Sequence, residues 1–294
     1  TGDAAAAAAI EDAWGLLPAD PGRSTMEMLE ACVSGEIRAL VLVGADPVRD
    51  CPDPALATAA LEQAEFVLAI DAFVTDSSRH ADVFLPAAVW GEVDGTATNL
   101  EGRVQRIRPS IPPVGRARPL NAVLDDIALR LGVELGAAKV DAIAGEIATI
   151  APAYAGVTHD YLTFEGGPEG VVVPLDGATQ PLGYIPVDIS VPVVTDRMTL
   201  HLARSLYDDG VWNRHAETIA SLPRTAVARV HPRDASVLAV QDGSMVVIED
   251  VIELPVVIDA NVAVGSIVVP FNHPATKGLA ATAAVRVDAV RSDR

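Results

Sequence analysis

Two textures of apolar and polar positions follow one another along this chain. In the first half Met26, Leu29, Ala31, Cys32 and Val33 fall near helical spacing ahead of Gly35, which predicts a helix with a glycine stop. Ala39-Leu40-Val41-Leu42-Val43 follows as an unbroken apolar run, the mark of a short strand buried on both faces. Gly44-Ala45-Asp46-Pro47 then turns the chain. Pro54 to Ala64 predicts a helix, Phe66 to Ile70 a second buried strand closed by Asp71, and Val83 to Leu85 a third stopped by Pro86. Helix and strand in repetition predict an open, mostly parallel α/β sheet. Gly91 to Pro113 is polar and turn-rich, too long for an idle connector. Asn121–Leu131 and Val140–Ile150 read as amphipathic helices.

From Ala151 to Pro192 prolines and glycines crowd together and periodicity is lost, although Val171 to Val173 has the look of a small strand. Beyond it come short apolar runs separated by sharp turns: Thr199–Leu202, Ala226–Val230, Met245–Ile248, Leu254–Ile258, Ile267–Val269 and Ala284–Val287. Such runs with little helix between them predict a small β-barrel. The expected organisation is an α/β domain over 1–150, an irregular linker over 151–192 and a barrel over 193–294.

Composition narrows the function classes. With 294 residues, half of them apolar, the chain is long enough for two cores. A net charge of −19 repels phosphate backbones and anionic lipid, so neither nucleic acid nor a membrane surface is an expected partner. No apolar run approaches the roughly 18 residues of a membrane span, and no membrane insertion is expected. Cys32 and Cys51 are too few for an iron–sulfur cluster or a closed zinc site, though a single disulfide is conceivable. A sequence opening Thr1-Gly2-Asp3 and an alanine run, with no basic leader, is expected to be a fragment of something longer.

Candidate chemistry is sparse. Gly44 and Asp46 sit at the carboxyl end of an expected parallel strand, where open α/β sheets bind ligands; a plain turn is the competing reading. The six histidines are scattered, and His231-Pro232 beside Asp234 reads as capping a helix or packing at a turn rather than as a catalytic pair. Ser77-Ser78 lacks a nucleophile elbow and reads as surface loop. Glu92, Asp94 and Glu101 lie in a turn-rich segment without a visible partner arrangement, and a solvated acidic loop explains them as well as general acid–base work does. The most unusual stretch is Gly95 to Arg106, in which Thr96, Asn99, Gln105 and Arg103 offer hydrogen-bonding groups. It suits a polar heterocycle, a phosphate or an internal network equally.

Taken in order, these segments resemble the molybdopterin oxidoreductase superfamily, most nearly its branch in respiratory complex I. The pieces that carry the resemblance are Ala39 to Pro47, Phe66 to Asp76, Ala81 to Pro86 and Glu92 to Gln105, with Trp14-Gly15 and Pro21-Gly22-Arg23 favouring the complex I branch. In the second half Val230-His231-Pro232, Val240 to Gly243 and Val264 to Pro270 carry it on. The resemblance implies a molybdopterin-oxidoreductase-like α/β region followed by a C-terminal double-psi β-barrel. It implies a structural segment of an NADH-quinone oxidoreductase with no catalytic residue, no metal and no cofactor of its own, and iron–sulfur clusters upstream. Gly44, Asp46, Asp71, Thr75, Asn99 and Arg103 would mark a vestigial cofactor pocket, with Arg103 paired to a carboxylate. The implied partners are other complex I subunits and the cluster-bearing domains, and the implied place is the peripheral arm on the cytoplasmic face. The alternative is the cofactor-binding half of a formate dehydrogenase or nitrate reductase type enzyme, which would hold molybdopterin guanine dinucleotide.

Overall fold

A computed structural model describes residues 4–165, 167, 169–173, 197–222, 225–279 and 284–290. The first half runs α1 (Ala4–Trp14), α2 (Thr25–Val33), β1 (Ala39–Val43), α3 (Pro47–Asp50), α4 (Pro54–Gln63), β2 (Phe66–Asp71) and β3 (Val83–Pro86). It continues with β4 (Gly95–Thr98), β5 (Arg103–Ile107), α5 (Leu120–Arg130), α6 (Val140–Ile150), α7 (His159–Phe164) and β6 (Val171–Val172). The second half holds β7 (Met198–Ala203), α8 (Val211–His215), β8 (Ala228–Val230), α9 (Pro232–Leu238), β9 (Met245–Ile248) and β10 (Ile252–Ile258). It ends with β11 (Ser266–Pro270), β12 (Ala284–Val285) and β13 (Val287–Ala289).

Two compact units share these elements. One takes in Thr1–Arg23, Ala69–Ala72 and Phe84–Val187, the other Ser24–Leu68, Phe73–Val83 and Asp188–Arg294. The units are interleaved along the chain, whereas the limits drawn at 150 and 192 are sequential. The segment over 151–192 carries a 3₁₀ turn at Pro152–Tyr154, α7 and β6, and its residues 174–192 lie outside the described residues.

In the second unit α2 is nucleated by a reciprocal capping box. The Ser24 backbone N–H donates to Glu27 Oε2 at 2.7 Å and the Glu27 N–H to Ser24 Oγ at 3.4 Å. α2 packs on α4, and Leu29 and Cys32 of α2 and Ala57, Ala60 and Leu61 of α4 are buried. α3 and α4 carry the chain from β1 to β2, the crossover that a parallel neighbour requires, and the sheet order is β1-β2-β3. The expectation that β1 is buried on both faces needs correction. Leu42 is buried, but Ala39, Val41 and Val43 on the other face are exposed.

The barrel grows from a seven-stranded sheet of order β12-β7-β11-β8-β10-β9-β13. β7 pairs parallel with β11 and β8 parallel with β10, while β8 and β11 run antiparallel. The two edge strands, β12 and β13, are separated in the chain by Arg286 alone. An edge that runs straight into the opposite edge forces the sheet to curl on itself, so it is nearly closed. Val230, Val246, Ile248, Leu254, Val256, Ile267, Val269 and Val285 fill its interior.

In the first unit the polar stretch from Gly91 to Pro113 contains the antiparallel hairpin β4–β5, to which β6 adds as a third strand. Val104, Leu162 and Val173 form its core.

Candidate functional site

The loop after β1 turns at Gly44, whose φ of +57° lies in the left-handed region. This delivers Asp46 to a buried position. Asp46 Oδ1 accepts from the Ser77 N–H at 3.0 Å and from Ser77 Oγ at 2.6 Å, and Ser77 Oγ accepts from the Val48 N–H at 2.9 Å. Thr75 and Ser78 exchange a reciprocal pair, the Thr75 N–H to Ser78 Oγ at 2.7 Å and the Ser78 N–H to Thr75 Oγ1 at 3.1 Å. Ser77 and Ser78 are therefore interior, not surface loop, because they satisfy the buried backbone of the two turns. Asp46 Oδ2 is buried without a hydrogen-bond partner among the described residues.

Arg49, one turn on, is the hub of this unit. Its Nε donates to Asn272 Oδ1 at 2.9 Å, and Nη2 donates to the Asp209 carbonyl at 3.1 Å and the Asp209 carboxylate at 2.6 Å. Nη1 stands 3.6 Å from Asp76 Oδ2, which Lys277 Nζ approaches at 3.3 Å. Burial opposes ionisation of Asp76, but Lys277, helped by Arg49 and Arg214, outweighs it and holds the carboxyl below its ordinary range. Arg49, Asn272, His273 and Lys277 line a small cleft whose apolar wall includes Leu202 and Phe271. A neighbouring groove carries Arg204 stacked over Phe271 at 4.6 Å; Arg204 is also held near Asp208 at 3.4 Å. Phe73 stacks on His215 at 4.2 Å and meets Trp212 edge-on at 5.2 Å.

The cysteines bring no chemistry to this site. Both are free and buried, so the disulfide is not formed. Burial raises both thiols, and Asp50 adds to the rise at Cys51, which makes each a poor nucleophile and ligand. Among the described residues no group of three or more His, Cys, Asp or Glu is placed to hold a metal.

Of the six residues picked from sequence, Gly44, Asp46 and Thr75 come together here, and the other three belong to the first unit. Asp71 Oδ1 accepts from the Ala72 N–H at 2.6 Å. Asn99 Oδ1 accepts from the N–H groups of Glu101 and Arg103 at 2.9 and 3.0 Å, closing the β4–β5 turn. Arg103 clamps Glu101 bidentately at 3.0 Å for each bond and donates to the Glu169 carbonyl at 3.1 Å. The Arg103 fork lowers the Glu101 carboxyl below its usual range. The expected carboxylate partner of Arg103 is thus Glu101, and the Gly95–Arg106 stretch is an internal network.

Glu92 and Asp94 are not a solvated acidic loop. Glu92 is buried and accepts from the Val89 N–H at 2.9 Å. Asp94 takes a fork from Arg106 at 2.8 and 3.2 Å and faces His159 Nε2 at 3.2 Å, while His159 Nδ1 faces Asp141 Oδ1 at 2.5 Å. Arg106 also donates to Thr163 Oγ1. Arg49, Asn272 and this His159 cluster escaped sequence reasoning, since no local spacing signals partners so distant. His231 behaves as read: it caps α9, its Nδ1 accepting from the Arg233 N–H at 3.0 Å.

A dinucleotide pterin cofactor carries a pyrophosphate, which calls for unpaired cationic or N–H donors. In this unit the guanidinium of Arg49 and the ammonium of Lys277 already face Asp209 and Asp76. The N–H groups of Val48, Thr75, Ser77 and Ser78 are bonded internally, and the buried Asp46 carboxylate would repel an anion. These donors do not fit such a group; Arg214 Nε, buried without a hydrogen-bond partner among the described residues, is a donor left open.

Residues 3–130 match the family described as Molybdopterin oxidoreductase. Among curated proteins, the second G-type subunit of the NADH-quinone oxidoreductase of Rhizobium meliloti is 33% identical over 247 residues, 84% of this chain and 28% of the relative. A putative formate dehydrogenase of Staphylococcus haemolyticus is 35% identical over 165 residues, 56% of this chain and 17% of the relative. The chain therefore spans under a third of the length of these relatives. Acetylene hydratase from Pelobacter acetylenicus superposes with a TM-score of 0.63 at 18% identity, covering 86% of this chain and 41% of that one, a likeness of fold alone. Among the described residues no helix is long and apolar enough to cross a membrane. The mixed α/β architecture with its nearly closed barrel and the sequence matches agree: the chain carries a molybdopterin oxidoreductase domain over residues 3–130.

Proposed function

We propose that this chain is a structural segment of a complex I subunit of the G type, supporting NADH-to-quinone electron transfer without a redox centre of its own. The observation that carries the reading is the neutralisation of Arg49 and Lys277 by Asp209 and Asp76. An anion site left by a departed cofactor is here an internal clasp between α3 and the loops after β7 and β11. The Rhizobium relative, by its name a subunit of an NADH-quinone oxidoreductase, supports the choice of complex. On this reading the partners are neighbouring subunits and cluster-bearing domains, the place is the cytoplasmic-side peripheral arm, and the barrel follows a double-psi path. Gly44, Asp46, Asp71, Thr75, Asn99 and Arg103 are remnants of the ancestral pocket, and the ancestral domain limits lie near residues 150 and 192.

The second reading, the cofactor-binding half of a formate dehydrogenase type enzyme, draws on the staphylococcal match. Elemental analysis of the purified native protein for molybdenum and tungsten, with fluorescence of the oxidised pterin, separates the two. The scaffold reading expects neither signal at stoichiometric level. A stoichiometric metal or pterin overturns it in favour of the second.

A further inference from the structure

The first unit contains a single histidine. Of the six in the chain, only His159 falls within Thr1–Arg23, Ala69–Ala72 or Phe84–Val187, and both cysteines lie outside those limits. Imidazole is the side chain whose ordinary charge change falls between pH 5 and 8, so a response of this unit in that range points to His159.

His159 opens α7, which packs on α6 and on β5, and its side chain is only 7% exposed. Nε2 stands 3.2 Å from Oδ1 of Asp94, the residue just ahead of β4, and Nδ1 stands 2.5 Å from Oδ1 of Asp141, in the first turn of α6. β5 contributes Arg106, whose fork grips Asp94. The Arg106 guanidinium is held above its ordinary range chiefly by Asp94, and Asp141 and Asp160 add to the rise. A carboxylate offers lone pairs and no hydrogen. Contact on both sides of the ring therefore calls for a proton on each nitrogen, and the imidazolium so formed brings Asp94, Asp141, Arg106 and His159 to neutrality as a set. The lowered Asp94 carboxyl, held down first by Arg106 and then by His159 against the effect of burial, agrees with a donor at Nε2.

Loss of one ring proton leaves one nitrogen facing a carboxylate lone pair to lone pair. The two carboxylates are not equally free to move. Asp94 is pinned by the Arg106 fork and by the Gly95 N–H at 3.0 Å, whereas the Asp141 side chain is 74% exposed and can turn to water. The contact that gives way is the one to α6. We propose that His159 is a pH-operated catch: as an imidazolium it ties the first turn of α6, through Asp141, to the hairpin β4–β5, through Asp94, and on losing its proton it lets the start of α6 go. The tie is present at low pH and is lost as pH rises through the imidazole range.

The test is hydrogen exchange of the native gene product followed by mass spectrometry at about pH 5.5 and about pH 8.5, on either side of that range. Exchange of peptides from α6 is expressed relative to the same peptides unfolded at the same pH, with α5 as the internal control. The expected result is that protection of α6 falls about twofold to fivefold from the lower to the higher pH, the scale of one partly exposed ion pair, while α5 stays constant. In Asp141→Asn the side-chain amide can both donate and accept, and in His159→Gln the amide does not titrate, so α6 protection is the same at both pH values in each variant. Asp141 is exposed, so its variant reads the catch even if His159→Gln folds poorly. A parent whose α6 protection does not change with pH, or a change that persists in Asp141→Asn, overturns the proposal. Neither outcome touches the molybdenum and pterin measurement, so the scaffold reading stands or falls separately.

Discussion

Arg49 is the residue on which the clasp can be tested most directly. Its side chain is 11% exposed, and its partner Asp209 is 16% exposed. Replacing Arg49 with Met keeps most of the apolar stem but leaves Asp209 and Asn272 without their donor and Asp76 with Lys277 and the influence of Arg214. Removing one partner of a buried pair typically costs 3–5 kcal/mol. Because Asp76 retains Lys277 and is 26% exposed, the lower end applies, about 3 kcal/mol. At about 2–4 °C per kcal/mol for a unit of this size, the melting temperature falls by about 6–12 °C. Paired with Asp209→Asn in a double-mutant cycle, the coupling between the two side chains is about 1–3 kcal/mol. The same assay distinguishes a clasp from an anion site. About 10 mM pyrophosphate would stabilise a site of millimolar affinity by about 1.4 kcal/mol, whereas a saturated clasp gives no shift. An Arg49→Met variant melting within about 2 °C of the parent, or a parent stabilised by pyrophosphate, refutes the reasoning.

Two further outcomes follow from the first unit. Arg106, against the opposing effect of burial and with help from His159, holds the Asp94 carboxyl below its ordinary range. A depressed folded-state value means that the bond stabilises fully above the unfolded value near 3.8 and is lost as pH falls through the lower folded value. Acid titration monitored by circular dichroism will thus show Asp94→Asn less stable than the parent at pH 6 and converging with it below pH 3.8; a constant difference across that range contradicts the assignment. Gly170 has φ of +69°, and a Cβ there would press on the Val104 carbonyl oxygen of β5. Gly170→Ala is expected to cost about 1–3 kcal/mol, with hydrogen exchange at Val171 and Val172 speeding up more than at β4; unchanged exchange there sinks it.

What the sequence displays well is local. Val140–Ile150 and Met245–Ile248 form the helix and strand that their spacing predicts, residue for residue, because periodicity and turn chemistry lie within a dozen positions. β12 and β13 appear as a single run in the sequence and split at Arg286, whose N–H donates to Glu249 Oε1 at 2.6 Å; only the partner strand reveals the break. Site geometry was less legible. Arg49 and Asn272 are 223 positions apart, and His159 lies 65 positions from Asp94. No spacing rule reaches that far, so Asp94 looked like a solvated carboxylate. Ser77 and Ser78 misled for a related reason: polar residues next to Arg79 and His80 resemble a surface loop, but the backbone of two buried turns needed their hydroxyls.

Charge placement separates a holding site from a scaffold. A protein that binds an anion keeps cations close to one another and leaves them unpaired, at a cost in stability that the ligand offsets. Arg49 and Lys277 are arranged the opposite way, each facing a carboxylate of the same unit. An anion at Arg49 or Lys277 would first have to break one of these pairs. Arg49 and Lys277 are met from within, whereas Asp46 Oδ2 and Arg214 Nε are buried without a hydrogen-bond partner among the described residues.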